Sequence, residues 1–240
     1  MLNAHMRSNQ NVPTRPVRAF LVGPARSGKT SIAVGFPNPI LISPADEGGA
    51  RIADNLPFHV STIECNGFLA GKGQPALMDI INWMTAEARN GTLRRADGSP
   101  VGTVIVDSLS HWESILISEV CGKGGNMDQQ RWGTLLEAWK SLRAALWRLP
   151  VHVVLTCLDE VHKTAAGQII GHGPALKGQI CGLLPSECDL LAYTERELDG
   201  SYVTYSCRHG MFTGGSRIRG MANVAYPNFS FGAHIAPYLG

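Results

Sequence analysis

The sequence predicts an α/β fold in which a mostly parallel β-sheet carries helices on both faces. Apolar runs typical of buried strands recur at residues 17–22, 39–43, 101–107 and 151–156. Segments with helical spacing of apolar residues separate several of these runs, and helical crossovers join parallel strands. Two later runs flank Asp199-Gly200, which favours a tight turn, so we also expect a C-terminal antiparallel hairpin.

The helices in the first half of the chain are predicted from apolar spacing and from their end signals. After the first strand, a short helix is expected to end near Gly35. Pro75 suits a first helical turn and opens a second helix that Asn90-Gly91 ends. A third helix is expected over residues 108–121, directly after the clearest strand.

In the second half, apolar side chains at helical spacing from Trp132 to Leu146 predict a long amphipathic helix, which Pro150 stops. We expect its aromatic stripe, including Trp132, to lie in the core. Residues 158–182 lose the periodic pattern and contain several glycines, so we expect a long loop there. Compact domains seldom keep such loops without a function.

The first apolar run leads into the segment Gly23-Pro24-Ala25-Arg26-Ser27-Gly28-Lys29-Thr30. This segment fits G-x-x-x-x-G-K-[ST], and a strand before it and a helix from Ser31 after it are the context that the pattern requires. The glycines let the backbone turn its N–H groups toward an anion. The Lys29 ammonium would reach the β- and γ-phosphates, and the Thr30 hydroxyl would bind Mg²⁺. The segment through Ser31 therefore predicts a binding site for ATP and Mg²⁺.

Acidic residues are predicted at two other strand ends. Asp107 closes an apolar run and is expected to hold Mg²⁺ opposite Thr30, while it could also cap the following helix. Hydrolysis further needs a group that orients and deprotonates water. Because Ser108 follows Asp107, that base must come from another strand. Glu47 is the better candidate and Asp46 the weaker one, and both acids could instead form a solvated turn.

Composition limits the alternatives. The net charge is only +2, so a nucleic-acid surface would have to be local. Six scattered cysteines without a C-x-x-C pair suit free thiols in a reducing cytoplasm. Residues 1–16 are polar and predict a flexible arm without an apolar signal region, and no apolar run is long enough for a membrane span. We expect one ATP-binding domain over residues 17–220 and a C-terminal tail over residues 221–240.

These motifs resemble the RecA-like branch of the P-loop ATPases, in which the aspartate is followed by serine and the glutamate lies on a different strand. The resembling residues are the phosphate loop, Asp46-Glu47-Gly48-Gly49 and the strand end 104–109. The chain is more closely similar to phage-encoded, AAA-type nucleotide-binding ATPases, some of which serve in single-strand DNA annealing or recombination. Weaker similar stretches follow in order at residues 149–156, 174–178 and 184–189 and around Arg217.

The resemblance implies roles for matching residues. It implies a RecA-like core, with Glu47 as the water-activating glutamate and Thr156 as a polar residue that senses the γ-phosphate. Arg217 or Arg219 would be the basic residue that reaches a neighbouring subunit's nucleotide in a ring or filament. With Lys29, the candidates for catalysis are thus Glu47, Thr156 and Arg217. Two departures, Ala45 in place of an aspartate and Leu158 in place of a histidine, concern how hydrolysis is coupled to DNA.

The resemblance also places single-stranded DNA at loops 122–130 and 158–180. Flexible backbone with a few cations can follow a phosphate chain, although neither loop holds an aromatic residue for base stacking. A solvated loop is the alternative. The expected partners are single-stranded DNA, further copies of the chain and a single-strand-binding protein, and no membrane; the cations expected to contact DNA are Lys123, Arg131, Lys163 and Lys177.

Other functions of a phosphate loop are weighed against this hypothesis. A small-molecule kinase usually adds an arginine-rich lid, and Arg94-Arg95 is the only compact arginine pair before the tail. A GTPase would carry N-K-x-D, which the sequence lacks. A nucleotide-binding assembly or packaging subunit without DNA-stimulated turnover remains an alternative to the recombination ATPase.

Overall fold

The computed structural model describes residues 15–47, 51, 56, 59–69, 75–122, 125–164 and 166–239. The predicted flexible arm up to residue 14, the glycines Gly48 and Gly49 of the second strand end, and the loop cation Lys123 lie outside the described residues.

The elements follow the order that the apolar pattern predicts up to residue 160, and after it the structure has additional strands and two additional helices. The strands are β1 Arg18–Gly23, β2 Pro39–Pro44, β3 Ser61–Cys65, β4 Thr103–Val106, β5 His152–Lys163, β6 Ile169–Pro174, β7 Leu190–Arg196, β8 Tyr202–Tyr205, β9 Arg208–His209, β10 Phe212–Thr213, β11 Gly215–Ser216 and β12 Ala225–Pro227. The helices are α1 Lys29–Val34, α2 Leu77–Asn90, α3 Leu109–Cys121, α4 Gln129–Leu146, α5 Ile180–Glu187 and α6 Phe231–His234, with a 3₁₀ turn at Ala236–Tyr238.

The strands form one mostly parallel sheet. Its main path runs β12-β8-β7-β1-β5-β4-β2-β3, and the neighbours from β7 to β3 are all parallel. The pair β7–β8 is antiparallel around the predicted turn, as are β8–β12, β5–β6 and β7–β11. The predicted α/β fold with a parallel sheet and an antiparallel C-terminal hairpin is therefore present.

Helices cover both faces of this sheet, because alternate residues of each central strand are buried on opposite sides. In β1, Phe20 and Val22 pack with α2, α3 and α4, whereas Ala19 and Leu21 pack with α1 and α6. A strand that is buried on both faces carries a continuous apolar run rather than an alternating one. Within the described residues, no helix is long and apolar enough to cross a membrane.

Two expectations for the second half are wrong. Residues 158–182 are mostly regular, since β5 extends to Lys163 and then pairs with β6. One glycine of this segment is required by packing, because a Cβ on Gly173 would lie 2.9 Å from the ring of His162. Trp132 is 37% exposed, because it stands in the first turn of α4, and only the residues from Leu135 onward reach the core.

Candidate active site

The phosphate loop lies between β1 and α1, as predicted, and two of its glycines are required by their surroundings. Gly28 has φ +85°, and a Cβ there would approach the ring of Tyr202 to 2.9 Å. At Gly23 a Cβ would lie 2.1 Å from the carbonyl oxygen of Thr194. No side chain fits at that distance, so the first glycine allows the loop to pack directly on β7. Ser27 secures the same contact, with its hydroxyl 2.8 Å from that of Thr194.

Lys29 is buried within this loop. Its ammonium donates hydrogen bonds to the carbonyl oxygens of Gly23, at 2.8 Å, and Pro24, at 2.7 Å. Burial lowers the pKa of Lys29, while the nearby carboxylates, Asp107 first, act in the opposite direction. A cation held by neutral carbonyls and facing carboxylates at the edge of a sheet is suited to bind a polyphosphate.

Asp107, which directly follows β4, is hydrogen-bonded to α1 and to β5. Its carboxylate accepts a hydrogen bond from the Thr30 hydroxyl at 2.7 Å and another from the Thr156 hydroxyl. Asp107 is 5% exposed and Thr156 is fully buried. The parallel register explains this meeting, because β5 lies between β1 and β4 and places Thr156 beside both the phosphate loop and Asp107.

The oxygen atoms of Thr30 and Asp107 fit a magnesium ion by their chemistry and spacing. Mg²⁺ prefers oxygen ligands at 2.0–2.1 Å in octahedral geometry, so two adjacent ligands lie about 3 Å apart. The separation of 2.7 Å between the Thr30 hydroxyl and the carboxylate is close to that value. No group of three or more His, Cys, Asp or Glu side chains that could cage a metal occurs in the part of the chain that the structure describes. An ion here would complete its octahedral coordination with water or phosphate oxygens.

Glu47 follows β2 and reaches the start of α3. Its two carboxylate oxygens accept hydrogen bonds from the Ser108 amide, at 2.9 Å, and from the Ser108 hydroxyl, at 2.5 Å. Burial raises the pKa of Glu47, and the two hydrogen bonds from Ser108 partly oppose this rise. The alternative candidate Asp46 is exposed and pairs with His111 at 3.1 Å. The structure thus brings Glu47, rather than Asp46, against the residue that follows Asp107.

Comparison with known families supports the nucleotide site. A family model described as AAA domain matches residues 15–218, which is most of the chain. The chain belongs to the AAA domain family. No curated protein is similar enough to the chain to count as a relative. Membership of this family makes the chain a nucleotide-binding protein of the P-loop ATPase type.

Sequence patterns did not reveal the outer wall of the nucleotide site in this AAA domain. A cavity of about 290 Å³ lies beside the phosphate loop, lined by residues 26–31 and by Tyr202 at the start of β8. The guanidinium of Arg196 lies over the ring of Tyr202, 5.7 Å from its centroid. Tyr202 is far from the phosphate loop in sequence, and the antiparallel β7–β8 hairpin brings it next to that loop. A tyrosine at the start of the second strand of a predicted hairpin has no sequence feature that would indicate a role in nucleotide binding.

The structure separates the remaining predicted residues of the AAA domain from this site. Arg217 is exposed and donates a hydrogen bond to the Ser186 carbonyl oxygen, and its amide binds the carbonyl of Asp189. That position is at the amino edge of the sheet, roughly 17 Å from the phosphate loop at the rise of a β-strand. Within one molecule Arg217 therefore does not approach Lys29.

The predicted nucleic-acid residues lie around the carboxyl edge. Arg131 is folded back on its own loop, where it contacts the Asn126 carbonyl oxygen and Asp128. Lys163 ends β5 and is exposed, and Lys177 is exposed just after β6. The amide of Lys177 donates to the buried carboxylate of Glu113 on α3 at 2.8 Å. Arg131, Lys163 and Lys177 thus belong to three different parts of the fold: α4, the end of β5 and the segment between β6 and α5.

Proposed function

We propose that this chain is a Mg²⁺-dependent, RecA-like ATPase that acts on single-stranded DNA in phage-type recombination or annealing. One observation carries the ATPase part of the proposal. The Asp107 carboxylate lies between the hydroxyls of Thr30 and Thr156, and Glu47 approaches from the adjacent strand. A binder that does not hydrolyse ATP has no need for a second, partly buried acid beside this group.

Each residue has a distinct role in this proposal. Thr30 and Asp107 would hold Mg²⁺, which supplies charge neutralisation at the phosphates when it is bound. Lys29 binds the β- and γ-phosphates, and Thr156 fixes the carboxylate of Asp107. Glu47 orients the attacking water and takes its proton as the oxygen approaches the γ-phosphorus. When Glu47 breaks its hydrogen bond with the Ser108 hydroxyl, one of its carboxylate oxygens becomes free to accept that proton.

Tyr202 is proposed to bind the base. It lines the cavity next to the phosphate loop, and its ring offers a face on which a purine can stack. The Arg196 guanidinium over the same ring supports its orientation. Because a stacking face does not read hydrogen-bonding groups, Tyr202 favours a base without choosing adenine over guanine.

Hydrolysis is tested by measuring phosphate release from ATP, with and without Mg²⁺ and with and without single-stranded DNA. We expect turnover that needs Mg²⁺, rises with DNA and disappears in Lys29→Ala, the binding-deficient control. Slow turnover that DNA does not change would favour an assembly or packaging subunit. Phosphate transfer to a small acceptor would favour a kinase.

The DNA part of the proposal rests on the resemblance and on one further feature. Trp132 is 37% exposed in the first turn of α4, directly after Arg131 and the segment 125–128. An exposed indole beside a guanidinium is suited to stack on an unpaired base. This residue supplies the aromatic group that the loops themselves lack. Lys163 and Lys177 would follow the phosphates, and a single-strand-binding protein in the cytoplasm would be a natural companion.

Binding of a fluorescent oligonucleotide at low salt, with a non-hydrolysable ATP analogue, tests this part. Trp132→Ala should weaken binding by about 1–3 kcal/mol, the range for loss of one stacked base. Trp83→Ala is the matched control, since Trp83 is 49% exposed and belongs to α2 rather than to the segments expected to contact DNA. Equal losses in both variants, or no binding of the wild type, would remove DNA from the proposal.

A further inference from the structure

One buried hydroxyl near the nucleotide site makes no hydrogen bond. Ser43, on β2, is fully buried, and its Oγ has no hydrogen-bond partner in the part of the chain that the structure describes. A hydroxyl that is removed from water without gaining a partner lowers the stability of the fold. Such groups are uncommon in folded proteins, and a functional ligand is one reason for keeping them.

The sheet register places Ser43 beside Asp107. Ile42 on β2 pairs with Val106 on β4, and the amide of Asp107 donates a hydrogen bond to the Ile42 carbonyl oxygen at 3.0 Å. The residues that follow this pair on the two parallel strands are Ser43 and Asp107. They are therefore neighbours across the carboxyl edge of the sheet.

Ser43 and Asp107 also face the same side of the sheet. Side chains alternate along a strand, so Ser43 faces the same side as Leu41, which packs in the core with α1. Asp107 faces that side as well, because its carboxylate accepts a hydrogen bond from Thr30 of α1 at 2.7 Å. The unpartnered hydroxyl thus lies on the side of the sheet that carries the phosphate loop and its helix.

The carboxylate of Asp107 does not need Ser43 to hold it. One of its oxygens accepts a hydrogen bond from the Thr30 hydroxyl, and the other accepts one from the Thr156 hydroxyl. These two hydroxyls fix the carboxylate in the free protein. The Ser43 hydroxyl, on the neighbouring strand, remains available to a ligand.

We propose that Ser43 is a positioning residue for the magnesium ion of the ATP site, an inference that rests on the proposed function. Mg²⁺ gives up its waters reluctantly and keeps several of them when it binds to one or two protein ligands and to phosphates. Thr30 and Asp107 would supply the protein oxygens, and the Ser43 hydroxyl would accept a hydrogen bond from a water of the same ion. A neutral hydroxyl can do this without adding charge to the site.

The test measures metal binding in the absence of hydrolysis. Mn²⁺, which shares the octahedral oxygen sites of Mg²⁺, is titrated into the full chain saturated with a non-hydrolysable ATP analogue, and free Mn²⁺ is measured by electron paramagnetic resonance. Ser43→Ala should raise the Kd for Mn²⁺ by roughly tenfold, the lower end of the range for loss of an outer-shell partner. Binding of the analogue in EDTA should equal that of the wild type.

Thr204→Val is the matched control. The Thr204 Oγ1 is also buried without a hydrogen-bond partner among the described residues, but β7, β1 and β5 separate its strand, β8, from β4. Both substitutions remove a hydroxyl that lowers stability, so neither should lower the midpoint of thermal unfolding without nucleotide. Only Ser43→Ala should weaken the binding of Mn²⁺.

A second variant separates the hydroxyl from the size of the side chain. Ser43→Cys nearly keeps that size but replaces the hydroxyl with a weak hydrogen-bonding group, so it should also raise the Kd for Mn²⁺. If Ser43→Cys bound Mn²⁺ as tightly as the wild type, a loss in Ser43→Ala would come from packing, and the proposal would be wrong.

Two further results would overturn the proposal. If Ser43→Ala bound Mn²⁺ like the wild type, Ser43 would have no part in the metal site, while the ATP site itself would stand. A lower unfolding midpoint with unchanged Mn²⁺ affinity would show that the hydroxyl serves the fold alone. If the wild type with the analogue bound no Mn²⁺, the proposed Mg²⁺-dependent ATPase would fail as well.

Discussion

The two edges of the parallel sheet use polar residues in opposite ways. At the carboxyl edge, Asp107, Thr30 and Thr156 are joined within hydrogen-bonding distance, and Lys29 is buried beside them. At the amino edge, Asp189 accepts hydrogen bonds from Arg15 and from the amide of Arg18, and most of the Arg15 side chain is exposed to solvent. The first arrangement holds groups ready for a ligand, whereas the second fixes strand starts.

The difference follows from strand direction. Parallel strands collect residues that are distant in sequence at one edge, where the backbone of each strand turns into a loop. Groups that meet there can act on one ligand. At the other edge the same geometry gathers the residues that start strands, and Asp189, directly before β7, accepts two hydrogen bonds there. We therefore expect changes at the carboxyl edge to affect turnover and changes at the amino edge to affect stability.

The largest effect is expected for Glu47→Gln. The amide keeps the shape of the carboxylate but cannot take a proton, so kcat should fall on the order of 10²- to 10⁴-fold. The Kd for ATP, measured by fluorescence titration, should stay near that of the wild type. Undiminished turnover would remove Glu47 from the mechanism and return Asp46 to consideration.

Asp189→Ala tests whether the amino edge of the sheet contributes to stability and not to nucleotide binding. It leaves the Arg18 amide without its acceptor, so the free energy of unfolding in urea should fall by about 1–3 kcal/mol. The affinity for ATP should not change. Arg15→Ala is the control and should cost less than about 1 kcal/mol, because Arg15 is 64% exposed and exposed ion pairs contribute little. A larger loss from Arg15 than from Asp189 would contradict this account.

A smaller effect is expected for Tyr202→Ala. Loss of stacking on the base should weaken ATP binding by about 0.5–1.5 kcal/mol, or roughly 2- to 12-fold in Kd. Tyr202→Phe keeps the ring and should bind like the wild type. An isothermal titration in which both variants lose affinity equally would point to the hydroxyl rather than to the ring.

The smallest effect is expected for Ser108→Ala, and it should appear in the pH profile. The Ser108 hydroxyl lowers the pKa of Glu47, which burial raises. Removing the hydroxyl should raise that pKa further, so less of the base is ionised at a given acidic pH. The acidic limb of kcat against pH should therefore move to higher pH. Movement to lower pH would show that Ser108 does not stabilise the carboxylate.

Much of the carboxyl edge was predictable from the sequence. A glycine loop after an apolar run, and an aspartate closing another, are local patterns whose chemistry does not depend on distant residues. A strand end also predicted the position of Glu47, whereas Thr156 was expected from the family resemblance and lies inside β5, which continues to Lys163. The prediction of a loop over residues 158–182 was wrong. The end of β5 pairs with β6 there, and such pairing depends on the neighbouring strand rather than on a period of apolar residues.

The sequence by itself determined the phosphate loop between the first strand and its helix, and the acids that follow the second and fourth strands. Only the tertiary structure decided their partners: Thr156 meets Asp107 because β5 lies between β1 and β4, and Tyr202 reaches the phosphate loop because β8 turns back on β7. The order of strands in a sheet is fixed by packing summed over the whole core. Local patterns indicate whether a segment forms a helix or a strand, but they do not indicate which strands lie beside it in the sheet.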